Sequence, residues 1–180
     1  MGLDIGGINM EKIKLKVNIK TETPFNIDSG IQDGGFIKSI TIKDINNRPY
    51  IPASTIKGKL RDNYRMIKGK KETDEIFGSE NTSNINRIMI DNFYLVDKKY
   101  YSSIRYGIAM NRYRKVTEDA ALYSKEVISG EFEGMIEFIN KSNKKVKEDI
   151  ILALKMITSI GGGKSKGFGR VNISVVEVNE

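Results

Sequence analysis

The residues with the most evident chemical use are Gly161-Gly162-Gly163-Lys164-Ser165-Lys166-Gly167-Phe168-Gly169-Arg170. Five glycines within nine residues leave backbone amides unshielded, so phosphates can approach closely, and Lys164, Lys166 and Arg170 supply the attracting charge. A nucleotide-binding P-loop is excluded. That pattern wants a glycine where Thr158 stands and runs from strand to helix, whereas this loop joins a helix to a strand. A helix cap would also use glycine, but a cap needs only one. A second string is Ile51-Pro52-Ala53-Ser54-Thr55-Ile56-Lys57-Gly58-Lys59-Leu60-Arg61. Ser54 is expected to cap a helix there, and a glycine inside that helix costs about 1 kcal/mol relative to alanine. Such a cost is expected where a ligand approaches the backbone, and an anion flanked by Ser54, Lys57, Gly58, Arg61 and Arg65 fits; the plainer alternative is a basic helix with solvated lysines. The third string, Ile104 to Gly130, interleaves Arg105, Arg112 and Arg114 with Tyr106, Tyr113 and Tyr123, a mixture suited to phosphate pairing and base stacking, or to an exposed hairpin with an aromatic anchor.

Other chemistries are excluded by composition. The 180 residues contain no cysteine and no histidine, which removes zinc sites, thiol nucleophiles and Ser-His-Asp triads together. No catalytic set, metal site or cofactor is assigned. The net charge of +7 is modest, but its distribution is uneven. Ser54 to Lys71, Arg105 to Val116 and Ile160 to Arg170 carry +6, +4 and +3, leaving the rest of the chain at −6. An acidic body with three basic segments points to a polyanionic partner, provided the fold gathers those segments. No apolar run approaches the roughly 20 residues of a membrane span, and the absence of a signal peptide and of cysteine leads to the expectation of a cytoplasmic protein without membrane contact.

The elements that must position these strings follow from periodicity. Lys12 to Lys20 alternates, with Ile13, Leu15, Val17 and Ile19 on one side, which predicts a half-buried strand. A glycine-containing stretch follows, with a short strand expected near Ser39 to Lys43. Ile56, Leu60, Tyr64 and Ile67 recur at helical spacing, as do Val146, Ile150, Ala153, Leu154 and Ile157. Ile88 to Val96, Phe132 to Ile139 and Val171 to Val175 read as strands. The order β-α-β-β-α-β predicts an α+β, ferredoxin-like single domain over residues 1–180, with one insertion after strand 1 and another between strands 2 and 3.

Taken in order, the three strings resemble the RAMP superfamily of CRISPR effector proteins, in particular the guide-RNA-binding backbone subunits of type III complexes. Ile51 to Arg61 is similar to the family's Ile-Pro-Gly-Ser-Ser-Leu-Lys-Gly-x-x-Arg segment, with Ala53 in place of a glycine. Residues from about 102 to 130, with Asn111-Arg112 and Leu122-Tyr123-x-x-Glu126, resemble its thumb hairpin, and 161–170 its glycine-rich loop. The resemblance implies a modified RNA-recognition-type fold that holds CRISPR RNA and supports pairing with complementary target RNA. It also implies contact with other subunits of the complex, copies of itself included. Subunits of this kind that cut RNA carry an aspartate before the Ile-Pro-x-Ser segment, and counting back places that position at Lys38. An endonuclease reading would have to use Asp28 or Asp33 with a metal, and a free-standing RNA-binding module is a third reading.

Overall fold

The computed structural model describes residues 3–4, 9–30, 37–78, 88–97, 99–110, 117–141 and 144–178. In chain order the elements are β1 (Leu3–Asp4), β2 (Asn9–Thr21), β3 (Tyr50–Ile51), α1 (Ala53–Lys68), α2 (Lys70–Phe77), β4 (Ile88–Ile90), β5 (Phe93–Leu95), β6 (Tyr101–Met110), β7 (Thr117–Ser129), β8 (Glu131–Lys141), α3 (Lys144–Lys155) and β9 (Val171–Glu177), with a 3-10 turn at Lys164–Lys166. β2 lies at the centre of the main sheet, antiparallel to β9 on one side and to β8 on the other, and β8 in turn pairs with β4 and β5. This is the ferredoxin-like strand order that the β-α-β-β-α-β reading expects.

The alternation in β2 is realised as two faces. Ile13, Leu15, Val17 and Ile19 are buried with Phe132, Ile136 and Phe138 of β8 against Ile56, Leu60 and Tyr64 of α1 and Ile150, Ala153 and Leu154 of α3. The two helices are fastened to each other by the Asn63 amide, which donates to the Ala153 carbonyl at 2.9 Å. The opposite face carries a cross-strand ladder of charge, with Lys12 at 2.7 Å from Glu137, Lys16 at 2.9 Å from Glu133, and the Asn18 amide donating to Glu131 at 2.8 Å. No helix among the described residues is long and apolar enough to cross a membrane.

Several elements depart from the sequence reading. The strand expected over Ile88 to Val96 is two short strands with a bulge between them: Ile90 pairs with Ile136 but Tyr94 with Glu133, so one extra residue is accommodated at 91–92. The bulge keeps both Ile88 and Phe93 facing the core, and Phe93 lies against Gly134, where a Cβ would come within 2.8 Å of its ring. It also frees Asn92, whose Oδ1 accepts the amide of Ala53 at 2.9 Å. Ser54 is therefore not the helix cap; the cap position is Pro52, and the side chain that serves the first turn comes from the bulge. The expected strand near Ser39 to Lys43 is reduced to isolated pairings, Asp28 with Thr41, Ser39 with Lys125 and Lys43 with Pro49. The helix α2, which the sequence reading did not anticipate, is held against α1 by the Tyr64 and Phe77 rings at 5.8 Å.

Candidate nucleic-acid interface

The second insertion forms a long hairpin, β6 with β7, as a sheet of its own, in register from Tyr101 opposite Ser129 to Ile108 opposite Leu122. Its root is anchored by the stretch that follows β2. Phe25 and Ile128 exchange main-chain hydrogen bonds at 2.9 and 2.8 Å, Glu126 N donates to the Ser39 carbonyl at 2.9 Å, and Lys38 N donates to the Ser124 carbonyl at 3.1 Å. Side chains complete the anchor. Buried Asn26 donates to the Glu126 carbonyl at 2.8 Å and accepts from Ser39 Oγ at 3.1 Å, while Thr41 Oγ1 donates to the same Glu126 carbonyl at 3.0 Å. The Glu126 carboxylate pairs with Lys43 at 2.9 Å.

Between this root and the glycine-rich loop runs a groove of about 470 Å³. The hairpin contributes Arg105, Tyr106 and Lys125, and the loop Gly162, Gly163, Lys166 and Phe168. Arg105 and Lys125 occupy directly opposite positions on the two hairpin strands and both line the groove, to which they bring positive charge. Tyr106 is 69% exposed, a ring available for stacking. Two of the three strings are thus brought to one groove.

The loop glycines divide into two kinds. At Gly161 a Cβ would meet the Asn26 carbonyl oxygen at 2.3 Å, and at Gly169 the Ile160 carbonyl oxygen at 1.9 Å, so both are required by the packing of the loop itself. Gly163 and Gly167 have positive φ, 78° and 82°, flanking the 3-10 turn. Only Gly162 combines ordinary φ with open space. Four of the five glycines thus have a reason within the loop's own conformation, and Gly162 is the one of the five that has none.

The helix string is placed less simply. Lys57 is half-buried and Ser54, Gly58 and Arg65 are exposed on α1, and none of the four lines the hairpin groove. A Cβ at Gly58 would meet nothing, so the protein's own packing gives no reason for a glycine there. Arg61 does something other than expected: its guanidinium donates to Asp74 at 3.0 Å and to the Gly78 carbonyl at 3.1 Å, closing α2 onto α1. Lys68 is likewise paired, to Asp149 at 3.2 Å and Glu72 at 3.4 Å, so part of the +6 of this segment is neutralised internally. Lys59, which the sequence reading passed over, reaches Lys164 of the loop; burial and that neighbouring ammonium lower it to about 8. Ser165 is exposed in the 3-10 turn, and Arg170 is exposed beyond it, its amide bound to Thr23 Oγ1 at 2.9 Å. Arg112, Arg114 and Asp33 lie outside the described residues. Lys125 and Asn26 were missed because each acquires its role from a partner distant in sequence; hairpin register alone would have found Lys125.

Similarity to known proteins extends over nearly the whole chain. The chain is 23% identical over 207 residues to the CRISPR system Cms endoribonuclease Csm3 of Methanocaldococcus jannaschii, covering 94% of this chain and 84% of that protein. It superposes on a chain of Type III-B Cmr-beta bound to cognate target RNA with a TM-score of 0.74 at 20% identity, over 94% of its own length and 61% of that chain. A chain of the apo state of Type III-B Cmr-beta gives a TM-score of 0.71 at 13% identity, over 91% and 97% of the two chains. A family profile described as the RAMP superfamily matches residues 18–172, and since that is most of the chain, this protein belongs to the RAMP superfamily.

Proposed function

We propose that this protein is an RNA-binding backbone subunit of a cytoplasmic type III CRISPR ribonucleoprotein, that it holds CRISPR RNA and supports recognition of complementary target RNA, and that it works beside other subunits of the complex, copies of itself included. The observation that carries the reading is the groove in which Arg105, Lys125 and Lys166 converge beside an exposed Tyr106 and an unobstructed Gly162. Its charges suit phosphates, which every RNA has, while its single exposed ring suits any base, so the groove is built to grip RNA without reading sequence. The names of the similar proteins, a CRISPR endoribonuclease and a Type III-B assembly bound to target RNA, support the same setting.

The relative's description as an endoribonuclease favours a second reading, in which this chain cuts RNA. Against it, Lys38 stands where the resemblance calls for an aspartate, and an ammonium can neither accept a 2′-hydroxyl proton nor bind a divalent cation. Asp28 is exposed, and its Oδ1 already accepts the Gly30 amide at 3.0 Å. We therefore favour binding as this chain's own role.

Purification from a host carrying the whole CRISPR locus tests the proposal. A backbone subunit brings with it a processed guide RNA and partner proteins, and the isolated chain binds unrelated single-stranded RNAs with similar affinity. Recovery as a protein free of RNA, with no affinity for added RNA, would overturn the reading; binding RNA without partners would favour a free-standing module.

A further inference from the structure

Glu126 of β7 is engaged at the hairpin root through its side chain as well as its main chain. Successive residues of a strand face opposite ways, and here Lys125 lines the groove while the Glu126 side chain meets the stretch that precedes β3. Its Oε1 accepts from the Lys43 ammonium at 2.9 Å and from the Ser102 hydroxyl of β6 at 3.2 Å, and its Oε2 accepts from the Thr41 amide at 3.3 Å. The Lys43 and Glu126 side chains are 22% and 12% exposed, so water and salt screen the pair only weakly.

The stretch gripped in this way leads into the main sheet. Ser39 pairs in parallel with Lys125, Thr41 is buried, and Lys43 pairs with Pro49, the residue before β3. β3 in turn pairs with β5. The ion pair therefore fastens the strand that carries Lys125 to a segment whose far end is fixed in the sheet. Neither Lys43 nor Glu126 is part of the groove wall.

We propose that Lys43 and Glu126 are positioning residues: paired, they set the hairpin root so that Arg105 and Lys125 present their charges to RNA, and neither touches the RNA itself. The RNA side of this rests on the proposed function; the tie between the two segments does not.

The sign of the charge effect separates positioning from contact. Neutralising Glu126 leaves more positive charge beside the groove, which by electrostatics alone tightens RNA binding. Positioning gives the reverse, because without the carboxylate Lys43 is left partly buried and unpaired and the root loses its fastening. The two roles also differ in coupling. A lysine that contacts phosphate is missed whether or not Glu126 is present, whereas a lysine that acts through Glu126 has nothing left to do once that acid is gone.

Melting of wild type, Lys43→Met, Glu126→Gln and the double variant, with titration of each by a single-stranded oligoribonucleotide below the lowest Tm, tests the assignment. Each single variant is expected to melt lower and to bind RNA severalfold more weakly than wild type. The double variant is expected to lose no more than either single by both measures, since replacing both partners leaves no unpaired charge. Tighter binding by Glu126→Gln, or an undiminished loss from Lys43→Met in the Glu126→Gln background, would make Lys43 a direct RNA contact and overturn the proposal. A lowered Tm with unaltered RNA affinity would reduce the pair to a structural tie and overturn it equally. If wild type binds no RNA the proposed function falls, while the melting cycle still judges the tie, which additive losses in Tm would refute.

Discussion

Asn26 and Gly162 are joined by a main-chain hydrogen bond of 3.0 Å in which the glycine amide donates to the asparagine carbonyl. The same Asn26 grips the hairpin root through its side-chain amide, so one buried residue sets the distance between the two walls of the groove. Replacing Asn26 by alanine leaves the Glu126 carbonyl and Ser39 hydroxyl short of a partner in a buried site. The expected cost is about 1–3 kcal/mol in urea unfolding, accompanied by weaker RNA binding. Unchanged stability with full RNA affinity would show that the walls are positioned by other interactions.

Arg105→Glu places an acid opposite Lys125 on the hairpin and lowers the positive charge of the groove. The fold is expected to be at least as stable as wild type, while affinity for all single-stranded RNAs falls together and the salt slope of log K flattens by about 0.7 for each phosphate the groove no longer neutralises. Titrations by fluorescence anisotropy at several salt concentrations check both. Weakening confined to some sequences would mean that Arg105 touches bases.

The loop glycines separate by substitution. Gly162→Ala is expected to melt close to wild type but to bind RNA less tightly, because it adds a side chain only where the backbone is open to a ligand. Gly161→Ala and Gly169→Ala are expected to lower Tm by several degrees, since each drives a Cβ into a carbonyl oxygen. Equal melting of all three would contradict the division.

Incubating the assembled complex with target RNA and Mg²⁺ distinguishes binder from nuclease. No cut is expected at this subunit's position, and Asp28→Ala and Asp33→Ala should change nothing. Cleavage that disappears in Asp33→Ala would mean that the aspartate counted to Lys38 is in fact Asp33.

Much of the architecture was readable because it is local. The alternation from Lys12 to Lys20 could be satisfied only by a strand with one buried face, and the 3.6-residue spacing from Ile56 to Ile67 only by a helix against it. What escaped depends on partners far along the chain. α2 has few apolar residues, and its place is fixed by Arg61 and Tyr64 of the preceding helix. The bulge at Asp91-Asn92 contains neither glycine nor proline, and its purpose becomes visible only when Asn92 meets Ala53. Of the candidate site, the glycine loop and the hairpin were legible as strings. The tie of Arg61 to Asp74 escaped because that acid lies on the unforeseen helix.

The ladder of Lys12, Lys16, Glu133 and Glu137 makes the open face of the sheet nearly neutral within itself, even though both strands are densely charged. A polyanion drifting toward the molecule therefore feels little pull from that face and a strong one from the hairpin root and loop. On the proposed function, the protein would meet RNA in one preferred orientation, with the ladder keeping a long strand from settling on the wrong side.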